Sequence, residues 1–190
     1  PNALPTELCR HICCVSQQEV LYLLKANLST ALLLFFKKTV KIFAVHILAS
    51  VNKGDEMELL KILVIVLCGG AFYVCVELCY RGCSHWSMFL DSGICTWMIG
   101  MLNELAPATP LIAQAMLGAT VIMSSELLLG FSVNRSYAVW DYRNLPHNLR
   151  GQICPQFFCC WVGLSFVAIL LDDALRFVLF GEAMPVYRFF

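Results

Sequence analysis

The chain has 190 residues, of which 59% are apolar and only 14% charged, and its formal net charge is zero. A soluble domain carries about a quarter charged residues and about half apolar ones, so the composition argues against an ordinary soluble enzyme. The absence of a basic surplus, and of any RNA- or DNA-binding motif, argues against a nucleic-acid partner.

In chain order, residues 1–56 stand apart. They hold no Met, no Trp and one Gly, and five of their six basic residues are Lys. From Met57 onward there are seven Met, four Trp and ten Gly, and six of the seven basic residues are Arg. The stretch Lys53-Gly54-Asp55-Glu56-Met57 can be back-translated into a bacterial ribosome-binding sequence followed by a start codon. The expected reading is that residues 1–56 are translated upstream sequence and that residues 57–190 form the natural transmembrane domain. The rival reading is a genuine extra N-terminal helix. Its apolar stretch, Ala31–Val51, is broken by Lys37, Lys38 and Lys41. A lysine at the bilayer centre costs about 2.5–3.5 kcal/mol on insertion scales, which fits an interfacial amphipathic helix better than a span. No small-residue cleavage site follows a compact apolar core, so a signal peptide is not expected.

Four runs are long enough to cross a hydrocarbon core, which takes about 20 apolar residues: Leu59–Tyr80, Trp86–Leu105, Pro110–Phe131 and Phe157–Phe180. Helix is the expected state of each, because an isolated strand in lipid leaves its backbone groups unpaired. The expected fold is therefore all-α, a polytopic membrane bundle of four core helices with the N-terminal helix as a fifth candidate. Pro110 suits a helix start, and Pro107 helps to end the preceding run. Pro146 and Pro155 fall in the long connection from Ser132 to Gln156.

The eleven cysteines include no C-x-x-C pair and mostly sit inside apolar runs. There they act as small hydrophobes, and neither a disulfide framework nor a metal site is expected. No cofactor motif is present.

Call side A the end holding the first and third connections. It carries Arg81, Arg135, Arg143 and Arg150, whereas side B carries Lys61, Arg176 and Arg188. The positive-inside rule places side A in the cytoplasm.

Charged residues are costly in a membrane and mark function or a specific pairing. Glu77 and Arg81 are spaced i, i+4, the favourable order for a helical ion pair. His85 follows, and Asp91 lies in the first turns of the next run. Glu126, Gly130 and Asn134 share one stripe, with Gly130 leaving room for another group. The connection beyond supplies Trp140, Asp141, Tyr142, Asn148 and Gln152. These residues form the candidate site: Glu77, Arg81, His85, Glu126, Asn134, Trp140, Asp141, Tyr142, Asn148 and Gln152, all at or within reach of side A. Three readings stand beside each other. In one they are internal ties that neutralise one another and fix helix register. In another they bind a substrate or ion, with Glu77 and Glu126 as ligands or proton carriers and Trp140-Asp141-Tyr142 as a lid. In the third they form an enzymatic centre. Trp86, Trp140 and Tyr142 also suit an interfacial aromatic belt. At side B, Asp172 and Asp173 precede Arg176 at spacings that fit an ion pair. Ser92, Thr96 and Gly100 form a small-residue stripe suited to close helix packing. No G-x-x-x-x-G-K-[ST] phosphate loop occurs, so ATP-driven work needs another subunit.

Glu77-x3-Arg81-Gly82-x-Ser84-His85-Trp86-Ser87-Met88, Glu126-x3-Gly130-x3-Asn134 and Trp140-Asp141-Tyr142-x3-Pro146-x-Asn148-x2-Gly151-Gln152-Ile153-Cys154 resemble the putative ABC-transporter type IV family of bacterial membrane proteins. Leu171-Asp172-Asp173-x2-Arg176 and Phe180-Gly181-Glu182-x2-Pro185-x-Tyr187 fit the same pattern. The resemblance spans about Met57 to Phe190. Asp91-Ser92-Gly93 departs from it, where two glycines are expected. The resemblance implies a permease-like protein of the bacterial plasma membrane, working as a homo-oligomer or with ATPase or permease partner subunits. The alternatives are a membrane-embedded enzyme acting on a lipid or isoprenoid, and a non-catalytic accessory subunit.

Overall fold

The computed structural model describes residues 26–189 apart from 29, 32, 33, 36, 43 and 46. The described residues between 26 and 53 are helical (α1). Residues 1–25 of the N-terminal extension lie outside the described residues. Five further helices follow: α2 (Glu56–Arg81), α3 (Trp86–Gly100), the single turn α4 (Leu102–Leu105), α5 (Leu111–Ser132) and α6 (Phe158–Phe180). A 3-10 turn, Pro155–Phe157, leads into α6. Among the described residues there is no strand, only an isolated bridge between Leu149 and Ile153.

The boundaries follow from local chemistry. Asp55 accepts the Glu58 backbone N–H at 3.2 Å and so caps α2. Gly82, at φ 73°, ends it in the left-handed conformation that glycine adopts without strain. His85 caps α3 by accepting the Ser87 N–H at 3.3 Å through Nδ1. Pro110 stands just ahead of α5, its missing N–H costing nothing there. Gly181, at φ 70°, closes α6.

Among the described residues, three helices are long and apolar enough to cross a membrane: Glu56–Arg81, Leu111–Ser132 and the combined Pro155–Phe180. The expected single span Trp86–Leu105 is instead two pieces, because α3 stops at Gly100 and Met101 turns the chain into α4. Fifteen helical residues rise only about 22 Å, short of the roughly 30 Å hydrocarbon core.

What α3 lacks in length it has in burial. Every residue from Cys95 to Gly100 is buried, and the helix packs against α2, α5 and α6. Small residues permit the approach. Gly69 and Gly70 of α2 lie against Thr96 and Phe89, and Gly93 of α3 lies against the Val66 carbonyl of α2. The expected stripe thus divides its work: Thr96 meets α2, while Gly100 makes room for the Asp172 side chain of α6. α2 presents Leu60, Leu63, Leu67 and Phe72 outward, as a lipid-facing helix does.

Candidate functional site

The candidate residues of side A divide into three sets and one residue, Glu126, that stands apart. The first closes the end of α2. Glu77 is buried, and it receives Arg81 Nη2 at 2.5 Å on one oxygen and the Ser84 hydroxyl on the other. Arg81 also donates to the Val139 carbonyl, which ties α2 to the connection after α5. The i, i+4 pair read in the sequence is present, and both Glu77 oxygens are occupied.

The second set closes the end of α5. Asn134 Nδ2 donates to the Trp140 carbonyl at 2.7 Å and to Gln152 Oε1 at 3.0 Å. Gln152 Nε2 returns a bond to the Asn134 carbonyl at 3.1 Å, and Trp140 Nε1 donates to the Gln152 carbonyl at 2.8 Å. Gly130 makes this possible, since a Cβ there would fall 2.6 Å from the Gln152 side chain. Trp140 is buried inside the knot, so it does not belong to an interfacial belt. Trp86, 65% exposed, is the tryptophan placed outward.

The remaining side-A candidates serve the connection itself. Asp141 faces outward and holds Arg143 through both carboxylate oxygens, at 2.7 and 2.9 Å. That guanidinium keeps the Asp141 carboxyl below the usual carboxylate range. Asn148 caps the turn, donating to the Leu145 carbonyl at 2.8 Å and accepting the Gly151 N–H at 2.8 Å. Tyr142 is half-buried with its ring 5.0 Å from Phe157. Burial, reinforced by the Glu126 charge, pushes its phenol above the ordinary value. His85 spends Nδ1 on the α3 cap and Ser87.

Glu126 stands apart from all of these. It lies six residues before the end of α5, about 9 Å inward at helical rise. It is 3% exposed, faces the Trp161 indole, and has no partner for Oε2. Glu126 and Asp91 both line a cavity of about 50 Å³ between α2, α3, α5 and α6, together with Tyr73, Ser92, Thr96 and Trp161. Asp91 accepts the Ser125 hydroxyl at 3.2 Å and is close enough to Glu126 for their charges to interact. In the sequence Asp91 stands among the polar residues near side A but departs from the family pattern, and no local signal marks Tyr73 or Trp161. Only packing reveals that these residues share a cavity with Glu126.

Side B is a second polar region. Asp172 receives Arg176 Nε at 2.9 Å, as the spacing predicted, and Arg176 Nη1 reaches Glu104 at 2.8 Å. Asp173 instead accepts from Asn103 at 2.8 Å and from Tyr187 at 2.7 Å. Burial raises Glu182, but Lys61 and Arg176 outweigh it and hold its carboxyl below the usual range. An open groove of about 690 Å³ lies nearby, between the α4–α5 connection and residues 185–188.

The cysteines from Cys68 to Cys160 are free thiols, and the described residues contain no group of three or more His, Cys, Asp or Glu able to hold a metal. Neither the curated proteins nor the solved structures provide a match to this chain. The family model for putative ABC-transporter type IV proteins matches residues 68–186, which covers every side-A candidate residue, Asp91 and the side-B ion pair; this chain belongs to that family of ABC-transporter-related membrane proteins.

Proposed function

We propose that this protein is a permease-like component of the bacterial plasma membrane, multi-pass, with α3 completing a core of four helices around an internal polar site. The Arg81, Arg135, Arg143 and Arg150 end faces the cytoplasm in this reading, by the positive-inside rule. Glu126 is the functional group of the site. Glu77 with Arg81, and Asn134 with Trp140 and Gln152, are the ties that close the cytoplasmic end over it. His85, Asp141, Tyr142 and Asn148 shape the connection that carries those ties. The single observation supporting the reading is the unpartnered Glu126 oxygen, buried on a cavity between helices. A buried acceptor left without a bond costs about 1–3 kcal/mol, and an intramembrane carboxylate is a functional group by default.

With three long apolar helices among the described residues and no phosphate loop in the sequence, the reading includes partners: further copies of the chain, or ATPase and permease subunits. The test is complementation of a deletion strain by full-length Glu126→Gln. Loss of complementation with normal amounts of protein in the membrane fraction is the expected result. Wild-type complementation by this variant would overturn the site. The accessory-subunit reading draws support from the closed side-A knots, which offer a substrate no open mouth. It predicts that Glu126→Gln is silent while variants that break the knots are not.

A further inference from the structure

Asp91 and Glu126 face one cavity from two helices. Five residues into α3, Asp91 lies about 7–8 Å from the side-A end of its helix, a depth close to that of Glu126. Each carboxylate faces one neutral group: for Asp91 the Ser125 hydroxyl at 3.2 Å, which also reaches the Ile122 carbonyl at 2.8 Å, and for Glu126 the Trp161 indole. Ser92 and Thr96 have spent their protons on helix carbonyls, Ser92 on Met88 at 2.5 Å and Thr96 on Ser92 at 2.8 Å. They offer lone pairs to the cavity, not hydrogens, which leaves the Tyr73 phenol as the further hydroxyl of the lining. Glu126 Oε2 is an acceptor without a bond.

Other charges do not supply the missing donor. On α2, Glu77 is occupied by Arg81 and Ser84, which leaves Tyr73 as the nearest titratable group on that helix. On α3 the neighbour besides Asp91 is the Cys95 thiol, placed 3.2 Å from Ser125 Oγ. α6 contributes Trp161 and no charge to the cavity. From the connection, Tyr142 senses Glu126 through space. Two carboxylates facing one small space repel, and one proton held between them relieves that repulsion. The space, about 50 Å³, exceeds the 10–15 Å³ or so that one water needs. A hydronium reaching this space can thus pass its proton to Glu126 Oε2, breaking one of its own O–H bonds, forming one on the carboxyl and leaving water; release to water reverses both.

We infer that Asp91 and Glu126 form a single-proton binding site inside the bundle, with Asp91 the second member that the functional reading lacks. What the proton serves rests on the permease-like reading; its binding does not. The test is infrared spectroscopy of the full chain in lipid nanodiscs, without substrate or partner. A protonated-carboxyl C=O band is expected at neutral pH, shifting in D₂O and absent in Glu126→Gln. Asp91→Asn leaves Glu126 alone in the cavity and moves the midpoint of the band's pH titration by about one unit or more. No band at neutral pH, a band unchanged in Glu126→Gln, or a midpoint unmoved in Asp91→Asn would each overturn the shared proton. Should Glu126→Gln fail to fold, Asp91→Asn alone carries the test. A band abolished by sodium but not by choline at constant pH would make the site one for a metal cation, and would also overturn the assignment. A normal infrared result combined with full complementation by Glu126→Gln would sink the transport reading and leave the proton site standing.

Discussion

Asn134 and Gln152 hold each other by two reciprocal hydrogen bonds, 3.0 Å from side chain to side chain and 3.1 Å from side chain to backbone. Asn134 is fully buried and Gln152 3% exposed, so neither has water as a substitute partner. Gln152→Ala removes a partner from the Asn134 side chain and carbonyl while leaving the Trp140 bond to the residue 152 carbonyl. The expected loss is about 1–3 kcal/mol, the cost of stranding a buried polar group. Thermal unfolding in detergent should show a lowered midpoint. An unchanged midpoint would mean that water enters the knot and replaces the amide.

Much of this architecture was legible in the sequence, and the parts that were not share one cause. Apolar length found α2, α5 and α6 because lipid imposes a minimum on any span. It misread Trp86–Leu105, where hydropathy alone does not mark the break at Met101 or the burial of α3. Periodicity found Glu77–Arg81, the Glu126–Gly130–Asn134 stripe and Asp172–Arg176, since i, i+4 neighbours meet on one helix. It groups Glu126 with the end of the bundle, since Glu126, Gly130 and Asn134 lie on one stripe. Asn134 lies beyond the last turn of α5, in a knot of its own, while Glu126 points between helices. Which side chains face Glu126 from α2, α3 and α6 is set by interhelical packing at glycines such as Gly69 and Gly93, and no local pattern encodes that.

Asp141 and Arg143 give the connection a pH dependence of known sign. The folded Asp141 carboxyl sits below its ordinary value because it accepts from Arg143. Its contribution is present above the unfolded carboxyl value, about pH 4, and is lost as pH falls through the lower folded value. Wild type and Asp141→Asn should therefore differ by a constant, small amount from about pH 5 to 7. The difference should vanish in acid. Unfolding midpoints of both proteins across this range check it. A gap that widens in acid would contradict the pairing.

The break in composition at residue 57 leads to a separate measurement. We propose that residues 57–190 make up the natural transmembrane domain, with residues 1–56 as translated upstream sequence. Intact-mass analysis of the protein purified from its native membrane should then give a chain beginning at Met57. A native product beginning well before Met57 would establish the N-terminal stretch, α1 included, as part of the protein.

Glu77 and Arg81 allow the roles of tie and ligand to be separated by energy. The Glu77 side chain is 9% exposed and that of Arg81 27%, so the carboxylate is the more deeply committed partner. Arg81→Met removes its main counter-charge and breaks the link to the Val139 carbonyl. Breaking a fully buried pair costs about 3–5 kcal/mol; with Arg81 partly exposed, about 2–3 kcal/mol is expected. Glu77→Gln keeps a polar group for Ser84 and removes the buried charge, so it should cost less. Combining the two removes the stranded carboxylate and should recover part of the Arg81→Met loss, a coupling of about 1 kcal/mol or more in a double-mutant cycle. Additive losses, or a Glu77→Gln variant that folds normally yet fails complementation, would move Glu77 from the tie that closes the bundle to the group that binds within it.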